Sequence, residues 1–243
     1  MTNSPKLLHR EEFEKILHDY KVSNRSRQVL STTPFVALSG LAGGGRNTII
    51  RYMAERMDYA FVISDTTRPP KLRDGRMEEN GVDYYFRNEE EFLSELKNGD
   101  FIEAELIHNQ QVSGTSIREV ERIVSTGKIP VHDYEFGGTN AIALAKPDAT
   151  IIGLLPPSYD EWIRRLSSRE TMSEVELHNR LTTAERVLDN MLSKPYFSLV
   201  VNDEIETCAV TIDQIVKNGR DAIDTSAARR TAQEILERLR KAL

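Results

Sequence analysis

The sequence is poor in the residues that several common protein classes require. Its 243 residues include one cysteine, Cys208, which excludes an intramolecular disulfide framework. The five histidines show no spacing typical of a metal site. No apolar run approaches the roughly 18 residues that span a bilayer, and the N-terminal segment MTNSPKLLHREEFEK is too polar for a secretory signal. We therefore expect no membrane partner and a cytoplasmic location.

The chain also lacks an excess of positive charge. Its formal net charge is −6 at pH 7 and its pI is near 5.5. Proteins that bind DNA or RNA usually carry a positive footprint, so the composition argues against a nucleic-acid partner. Any phosphate-bearing ligand must instead be held by a local cluster of arginines and backbone amides.

The stretch FVALSGLAGGGRNTII, residues 35–50, reads as a strand, a glycine loop and the start of a helix. The pattern G-x-x-x-x-G-K-[ST] is typical of nucleotide-binding loops, because backbone N–H groups and a helix N-terminus face the phosphate. Gly40 and Gly45 have this spacing, but Arg46 stands at the lysine position and Asn47 at the hydroxyl position. The sequence therefore predicts a phosphate loop with two unusual residues.

Strand-like and helix-like segments alternate after this loop. The predicted strands are Tyr59–Ile63, FIEAELI, IPVHDYE, TIIGLLPPS and FSLVVND. The predicted helices are NEEEFLSELKN with Asn88 as N-cap, SIREVERIVS, YDEWIRRLSSRET, SEVELHNRLTTAERVLDNML and IETCAVTIDQIVKN. The charged segment KLRDGRMEENG is predicted to be a solvated loop.

The two ends of the chain are predicted to be helical additions to this series. EEFEKILHDY predicts an amphipathic helix, and the following KVSNRSRQVLSTT reads as a polar linker. ARRTAQEILERLRKAL carries an apolar stripe that includes Leu236 and Leu239. This stripe docks either on its own domain or on another subunit, which would give a homodimer.

Two sets of charged residues favour phosphate chemistry. Asp133 and Glu135 lie two apart in IPVHDYE, so they share a face if the strand persists, and an acidic residue at such a strand end commonly positions magnesium. Arginines cluster further along the chain, and together they suit a polyanionic ligand; they are Arg164, Arg165, Arg169 and Arg180.

The order of motifs resembles the guanylate kinase family over roughly residues 35 to 217. The motifs are the glycine loop, S-x-TTRPP, GVDYYF, the FIE strand, GTS, the acidic strand, LLPPS, RL-x-x-R and VVND. The resemblance implies an α/β fold with a P-loop NTPase-type parallel sheet flanked by helices. It also implies an inserted GMP-binding domain at about 66–117 and a helical lid at about 156–175, within a domain spanning 34–220. Residues 1–33 and 221–243 would then be terminal additions.

The resemblance also assigns roles to individual residues. The family transfers the γ-phosphoryl group of ATP, with Mg²⁺, to GMP. The GMP-binding positions are Ser64, Arg68, Tyr84, Glu103, Thr115, Asp133 and Glu135, of which Glu103, Thr115 and Glu135 match guanine readers. The ATP-binding positions are Gly40, Gly43, Gly45, Arg46, Asn47, Thr48 and Asn202. The positions matched to catalysis are Arg46, Arg165, Arg169 and Arg180, and those matched to metal binding are Asn47 and Asp133.

This sequence departs from the family at three places besides Asn47. Arg46 keeps a positive charge, but its planar fork is larger than a lysine ammonium. Ser113 replaces the tyrosine before GTS, and Lys71 replaces the second arginine after TTRPP, where Arg73 or Arg76 could substitute. We expect a kinase acting on GMP or dGMP. A guanylate-kinase-like binding module without catalysis and a kinase with an altered acceptor are the alternatives.

Overall fold

The computed structural model describes residues 7–73, 75–168 and 173–243. Their contacts divide the chain into two compact units. Unit 1 consists of Met1–Thr33, Val62–Pro130 and Leu144–Pro147. Unit 2 consists of Pro34–Phe61, Val131–Ala143 and Asp148–Leu243. The segment 1–33 therefore groups with residues 62–130 rather than forming a unit of its own.

The helices and strands of the described residues are as follows. The helices are α1 Arg10–His18, α2 Asn24–Thr32, α3 Arg46–Arg56, α4 Glu89–Lys97, α5 Ile117–Ser125, α6 Phe136–Ala145, α7 Tyr159–Ser167, α8 Glu174–Ser193, α9 Ile205–Asn218 and α10 Ser226–Ala242. The strands are β1 Val36–Gly40, β2 Tyr59–Phe61, β3 Asp65–Thr66, β4 Leu72–Arg73, β5 Arg76–Met77, β6 Tyr85–Phe86, β7 Phe101–Ile107, β8 Gln111–Ser116, β9 Ile129–Asp133, β10 Thr150–Leu155 and β11 Phe197–Val201.

Unit 2 is built on a five-stranded sheet with the order β11-β10-β1-β9-β2. The central β1 pairs in parallel with β9 and β10, and β10 pairs in parallel with β11. Every residue of β1 is buried, as expected for a parallel strand covered on both faces. Because parallel strands end at the same edge, the glycine loop after β1 and Asp133 at the end of β9 belong to one edge of this sheet.

The C-terminal helix α10 belongs to the core of unit 2. It packs on α8, α7, β10 and β11, and its Ala232 and Leu239 are fully buried. Packing within the chain therefore accounts for the apolar stripe that the sequence predicts.

Unit 1 contains a four-stranded sheet with the order β6-β3-β8-β7. Helix α4 follows the prediction, since the Asn88 side chain accepts a hydrogen bond from the Glu91 amide and Gly99 ends the helix with a φ of 72°. Helix α1 packs on α4 and β7 through the fully buried Phe13. The prediction of a polar linker after α1 is wrong: Ser23 caps helix α2, and Leu30 is buried.

Two further segments differ from the sequence predictions. Helix α6 was not predicted, because its sequence FGGTNAIALA contains two glycines and lacks a helical stripe. The charged segment after TTRPP forms a short hairpin of β4 and β5, and although Leu72 is exposed, Glu78 is buried. Within the described residues, no helix is both long and apolar enough to cross a membrane.

Candidate active site

The glycine loop connects β1 to α3 and shapes a backbone cradle. Gly43 and Gly45 have φ values of 79° and 97°, which side chains disfavour. A Cβ on Gly40 would lie 2.8 Å from the Leu154 carbonyl oxygen, so a side chain at this position would collide with strand β10. The first turn of α3 closes on the Gly45 carbonyl, which accepts from the amides of Thr48 and Ile49 at 3.1 Å each.

Two side chains hold the loop through its carbonyl groups. The indole Nε1 of the fully buried Trp162 donates to the Ala42 carbonyl at 2.8 Å. The amide Nδ2 of Asn202 donates to the Gly44 carbonyl at 3.0 Å, and the role of Asn202 in ATP binding stays a prediction. In the described part of the chain, the amides of Arg46 and Asn47 donate no backbone hydrogen bond. They are the donors that a helix N-terminus offers to an anion.

Arg46 lies against the acidic end of β9. Its Nη1 is 3.3 Å from the Tyr134 carbonyl oxygen, to which it donates, and 4.0 Å from Oδ2 of Asp133. Its Nη2 lies 3.6 Å from Oε1 of Glu135. The Arg46 side chain is 16% exposed and Asp133 is 29% exposed, but Glu135 is 73% exposed, so solvent screens the pair with Glu135 more strongly than the pair with Asp133. The guanidinium at the lysine position therefore neutralises part of the acidic pair.

A cavity of about 210 Å³ adjoins the loop. Gly40, Arg46 and Glu135 line one part, and the α8 residues Glu176 and Arg180 line another. Oε1 of Glu176 accepts from Nη2 of Arg180 at 2.6 Å, which holds this guanidinium along the cavity. The volume is below the ~300 Å³ at which pockets begin to enclose a whole small ligand. It suits the phosphate chain of a nucleotide.

The other arginines of the predicted cluster are placed differently. Arg165 donates from Nε to Glu161 at 2.7 Å and from Nη1 to the Asn202 carbonyl at 3.0 Å, so it joins α7 to the segment after β11. Arg169 lies outside the described residues. Arg164 pairs with Glu161 on the exposed side of α7.

The donors of this loop fit a triphosphate with magnesium. Cβ atoms on Gly40, Gly44 and Gly45 would lie 2.8, 2.9 and 2.3 Å from neighbouring atoms. The Asn47 amide carbonyl and the Asp133 carboxylate are oxygen donors of the type that Mg²⁺ prefers. No group of three or more His, Cys, Asp or Glu side chains suited to a metal occurs among the described residues. A cation bound at Asp133 would compete with Nη1 of Arg46, which lies 4.0 Å from Oδ2 of this carboxylate.

In unit 1, Arg68 is held by a buried carboxylate. Both Arg68 Nη groups donate to Glu78, with 2.9 Å from Nη2 to Oε1, and the guanidinium carbon lies 4.7 Å from the Tyr84 ring centroid. The hydrogen bonds from Arg68 lower the pKa of Glu78. Arg68 and Tyr84, two of the predicted GMP-binding residues, therefore lie side by side, and Arg68 is already paired with Glu78. Their contact with GMP stays a prediction. The backbone carbonyl of Ser64 accepts a hydrogen bond from the Tyr85 amide.

The hairpin residues near Arg68 have partners of their own. Both Nη groups of Arg76 donate to Asp83 at 2.7 Å. The Lys71 backbone amide donates to Glu78 at 3.0 Å. The hydroxyl of Ser113, at the position where the family has tyrosine, lies 2.8 Å from that of Thr66.

The predicted guanine readers Glu103 and Thr115 face each other across β7 and β8. The Thr115 hydroxyl donates to Oε1 of Glu103 at 2.8 Å. Burial of the carboxyl group raises the pKa of Glu103 to about 7. Glu135 belongs to unit 2, where it faces Arg46.

The structure also reveals residues that sequence reasoning missed. Glu78 was assigned to a solvated loop because its neighbours are charged, and only the pairing with Arg68 explains its burial. Trp162 was missed because an aromatic residue on a short helix usually indicates core packing. In the structure its indole N–H instead binds the glycine loop, three residues before Arg165 on the same helix.

Comparisons with known proteins identify the family. The guanylate kinase family model matches residues 31–219. A guanylate kinase of Legionella pneumophila (strain Lens) is 33% identical over 187 residues, which cover 76% of this chain and 86% of the relative. Guanylate kinase 1 of Oryza sativa subsp. japonica is 29% identical over 218 residues, 83% of this chain, and the match spans about half (56%) of that relative's length.

A solved structure has the same fold. The crystal structure of guanylate kinase from Anaplasma phagocytophilum aligns with a TM-score of 0.54 at 23% identity and covers 87% of this chain and 95% of its own. The parallel sheet with flanking helices in unit 2 of this chain agrees with the fold predicted from the sequence. The family model and the bacterial relative together establish that the chain belongs to the guanylate kinase family.

Proposed function

We propose that the chain is a guanylate kinase, an enzyme that transfers the γ-phosphoryl group of ATP to GMP or dGMP. The observation that carries the proposal is the glycine cradle beside a cavity lined by Arg46 and Arg180. Phosphoryl transfer spreads negative charge over the transferring oxygens, and positioned cations and amides stabilise that charge. The names of the relatives support the same reaction.

Each group of residues has a distinct task in this proposal. The amides at the start of α3 hold the donor phosphates, and Arg180 offsets the charge that develops on the transferring group. Arg68 grips the acceptor phosphate once Glu78 releases it, and the phosphate oxygen attacks the γ-phosphorus while the bond to the β-phosphate oxygen breaks. Asn47 and Asp133 would hold Mg²⁺, which would supply further charge neutralisation. The products are ADP and GDP.

The carboxylate of Glu103 supports guanine over adenine. A carboxylate accepts from N1–H and from the 2-amino group of guanine, and adenine offers neither donor at these positions. A site built for such donors rejects a base that lacks them, because its buried acceptor is then unpaired. The pair of Glu103 and Thr115 is the basis for naming GMP rather than AMP as acceptor.

A coupled assay with purified protein, ATP and Mg²⁺ tests the proposal. GMP and dGMP should give ADP, whereas AMP and CMP should give little. Turnover with another monophosphate in place of GMP would indicate a changed acceptor, for which Ser113 is the motivating departure.

A second candidate, a guanylate-kinase-like binding module, is favoured by one observation. Arg46 already contacts Asp133, Glu135 and the Tyr134 carbonyl, which draws its donors away from a phosphate. Calorimetry separates the two functions. Binding of GMP without any binding of ATP and Mg²⁺ would favour the module and contradict the kinase. The predicted cytoplasmic location and a homodimer remain predictions alongside either function.

A further inference from the structure

The N-terminal helices lie almost entirely outside the region that the family model matches. They nevertheless belong to the unit that holds Glu103. The match begins at residue 31, whereas α1 and α2 span Arg10–His18 and Asn24–Thr32. Phe13 packs against Phe92 with ring centroids 6.0 Å apart, and Phe92 stacks on Phe101 at 4.4 Å. Phe101 is the first residue of β7, the strand that carries Glu103.

Tyr20 binds the backbone of that strand directly. Its hydroxyl accepts from the Phe101 N–H at 2.9 Å and donates to the Phe101 carbonyl at 2.7 Å. Strand β7 is an edge of the sheet, so its outward N–H and C=O groups would otherwise have no strand partner. Burial raises the pKa of Tyr20 well above its usual range, so the hydroxyl keeps its proton and both hydrogen bonds.

A bulge separates Phe101 from Glu103. Phe101 is paired with Ser116, but Glu103 is paired with Thr115, so Ile102 is an extra residue in the strand. Without the bulge, Ile102 would stand opposite Thr115, and Glu103 would point to the other face of the sheet. The hydrogen bond from Thr115 to Glu103 therefore depends on this local irregularity.

The segment after Tyr20 binds the chain at Gly99, two residues before Phe101. The Ser23 amide and the Ser26 hydroxyl both donate to the Gly99 carbonyl, at 3.0 and 2.9 Å. A Cβ on Gly99 would lie 2.7 Å from the Ser23 nitrogen. Residues 20–26 thus bind Gly99 and Phe101, which both lie within the three residues before Ile102.

We propose that Tyr20 is a positioning residue for guanine recognition. By binding both backbone groups of Phe101, its hydroxyl holds the bulge that places Glu103 opposite Thr115. The inference rests on the proposed function, since it takes Glu103 as the reader of the acceptor base. It gives the N-terminal segment of this chain a part in substrate selection.

The test compares Tyr20→Phe with the wild-type chain by calorimetry. GMP should bind about 10-fold more weakly, as expected when two buried backbone groups lose their partner, and ATP should bind unchanged. IMP lacks the 2-amino group, so the ratio of GMP to IMP affinity should fall toward one. The KM for GMP should rise in parallel while kcat stays within about twofold.

Tyr59→Phe is the matched control. The Tyr59 hydroxyl is also buried and donates to Asp213 at 2.9 Å within unit 2, whereas Glu103 and Thr115 belong to unit 1. This variant should lose stability and keep the ratio of GMP to IMP affinity. Ser26→Ala removes one bond to Gly99 and should shift the same ratio by a smaller factor, which provides a second test if Tyr20→Phe does not fold.

The outcomes separate the inference from the function on which it rests. If the wild-type chain binds GMP and both Tyr20→Phe and Ser26→Ala keep its affinity ratio, the positioning role is refuted and the kinase stands. A wild-type chain that does not bind GMP overturns the proposed function and the inference with it. A Tyr59→Phe variant with the same loss of discrimination would mean that general stability, not the position of Glu103, controls the ratio.

Discussion

At the scale of single residues, Arg46 governs how strongly the loop can act on phosphate. Its guanidinium is shared among Asp133, Glu135 and the Tyr134 carbonyl. Lysine is a compact point charge and cannot span these three partners together. Replacement by lysine would therefore release the carboxylates and direct the charge toward the donor phosphates.

We expect Arg46→Lys to raise kcat for GMP about 10-fold, part of the ~10²–10³ that one donor to a charged transition state is worth. Its ATP affinity should also depend more steeply on Mg²⁺, because Asp133 no longer pairs with a guanidinium. A coupled assay over a range of MgCl₂ concentrations measures both effects. Arg51→Lys, an exposed position on α3, is the control and should change neither. A fall in kcat for Arg46→Lys would show that the guanidinium already serves the reaction.

We expect GMP binding to depend on pH through Glu103. Burial raises the pKa of its carboxyl group to about 7, so the ionised acceptor form predominates only above that pH. Below pH 7 the group must lose a proton to accept from guanine, and GMP affinity should fall by up to tenfold per pH unit. Calorimetric titrations between pH 5.5 and 8.5 check this, with ATP as the reference ligand. Glu103→Gln should bind weakly with no such slope; a wild-type affinity that is flat across the range would refute the argument.

At the scale of elements, α8 presents one functional face and one solvent face. Arg180 lines the cavity beside the loop, whereas Arg186 on the same helix is exposed. Arg180→Ala should lower kcat about 10²-fold or more, and Arg186→Ala should leave it unchanged. Steady-state assays with saturating GMP make the comparison. Equal effects of the two substitutions would mean that helix stability, rather than the Arg180 charge, limits the reaction.

Local sequence patterns were sufficient to predict some helices and insufficient for others. Helix α4 was predicted with its Asn88 cap because capping and an apolar stripe are local signals. Helix α2 was missed because its polar sequence becomes helical through Ser23 and tertiary contacts of Leu30. In the site, the loop glycines and the pair of Glu103 and Thr115 follow from motif order. The pairing of Arg68 with Glu78 does not, because it depends on how a hairpin folds back on itself.

At the scale of the whole molecule, the single cysteine reports on the packing of unit 2. Cys208 is buried on α9, and burial raises the pKa of its thiol to about 12. A neutral, inaccessible thiol reacts slowly with disulfide reagents. We expect no labelling of the native protein by a thiol reagent at pH 8 and complete labelling across the urea unfolding transition. Rapid labelling without urea would mean that α9 opens locally.

The position of Trp162 places the single tryptophan fluorophore of this chain next to the glycine loop. It is the only tryptophan, and its indole N–H is bound to the Ala42 carbonyl of the glycine loop. Indole emission is sensitive to hydrogen bonding and local polarity, and here it arises from one fluorophore attached to the phosphate loop. We therefore expect nucleotide binding at the loop to change the indole emission of the unmodified protein, a change that stopped-flow fluorescence can follow without an added dye.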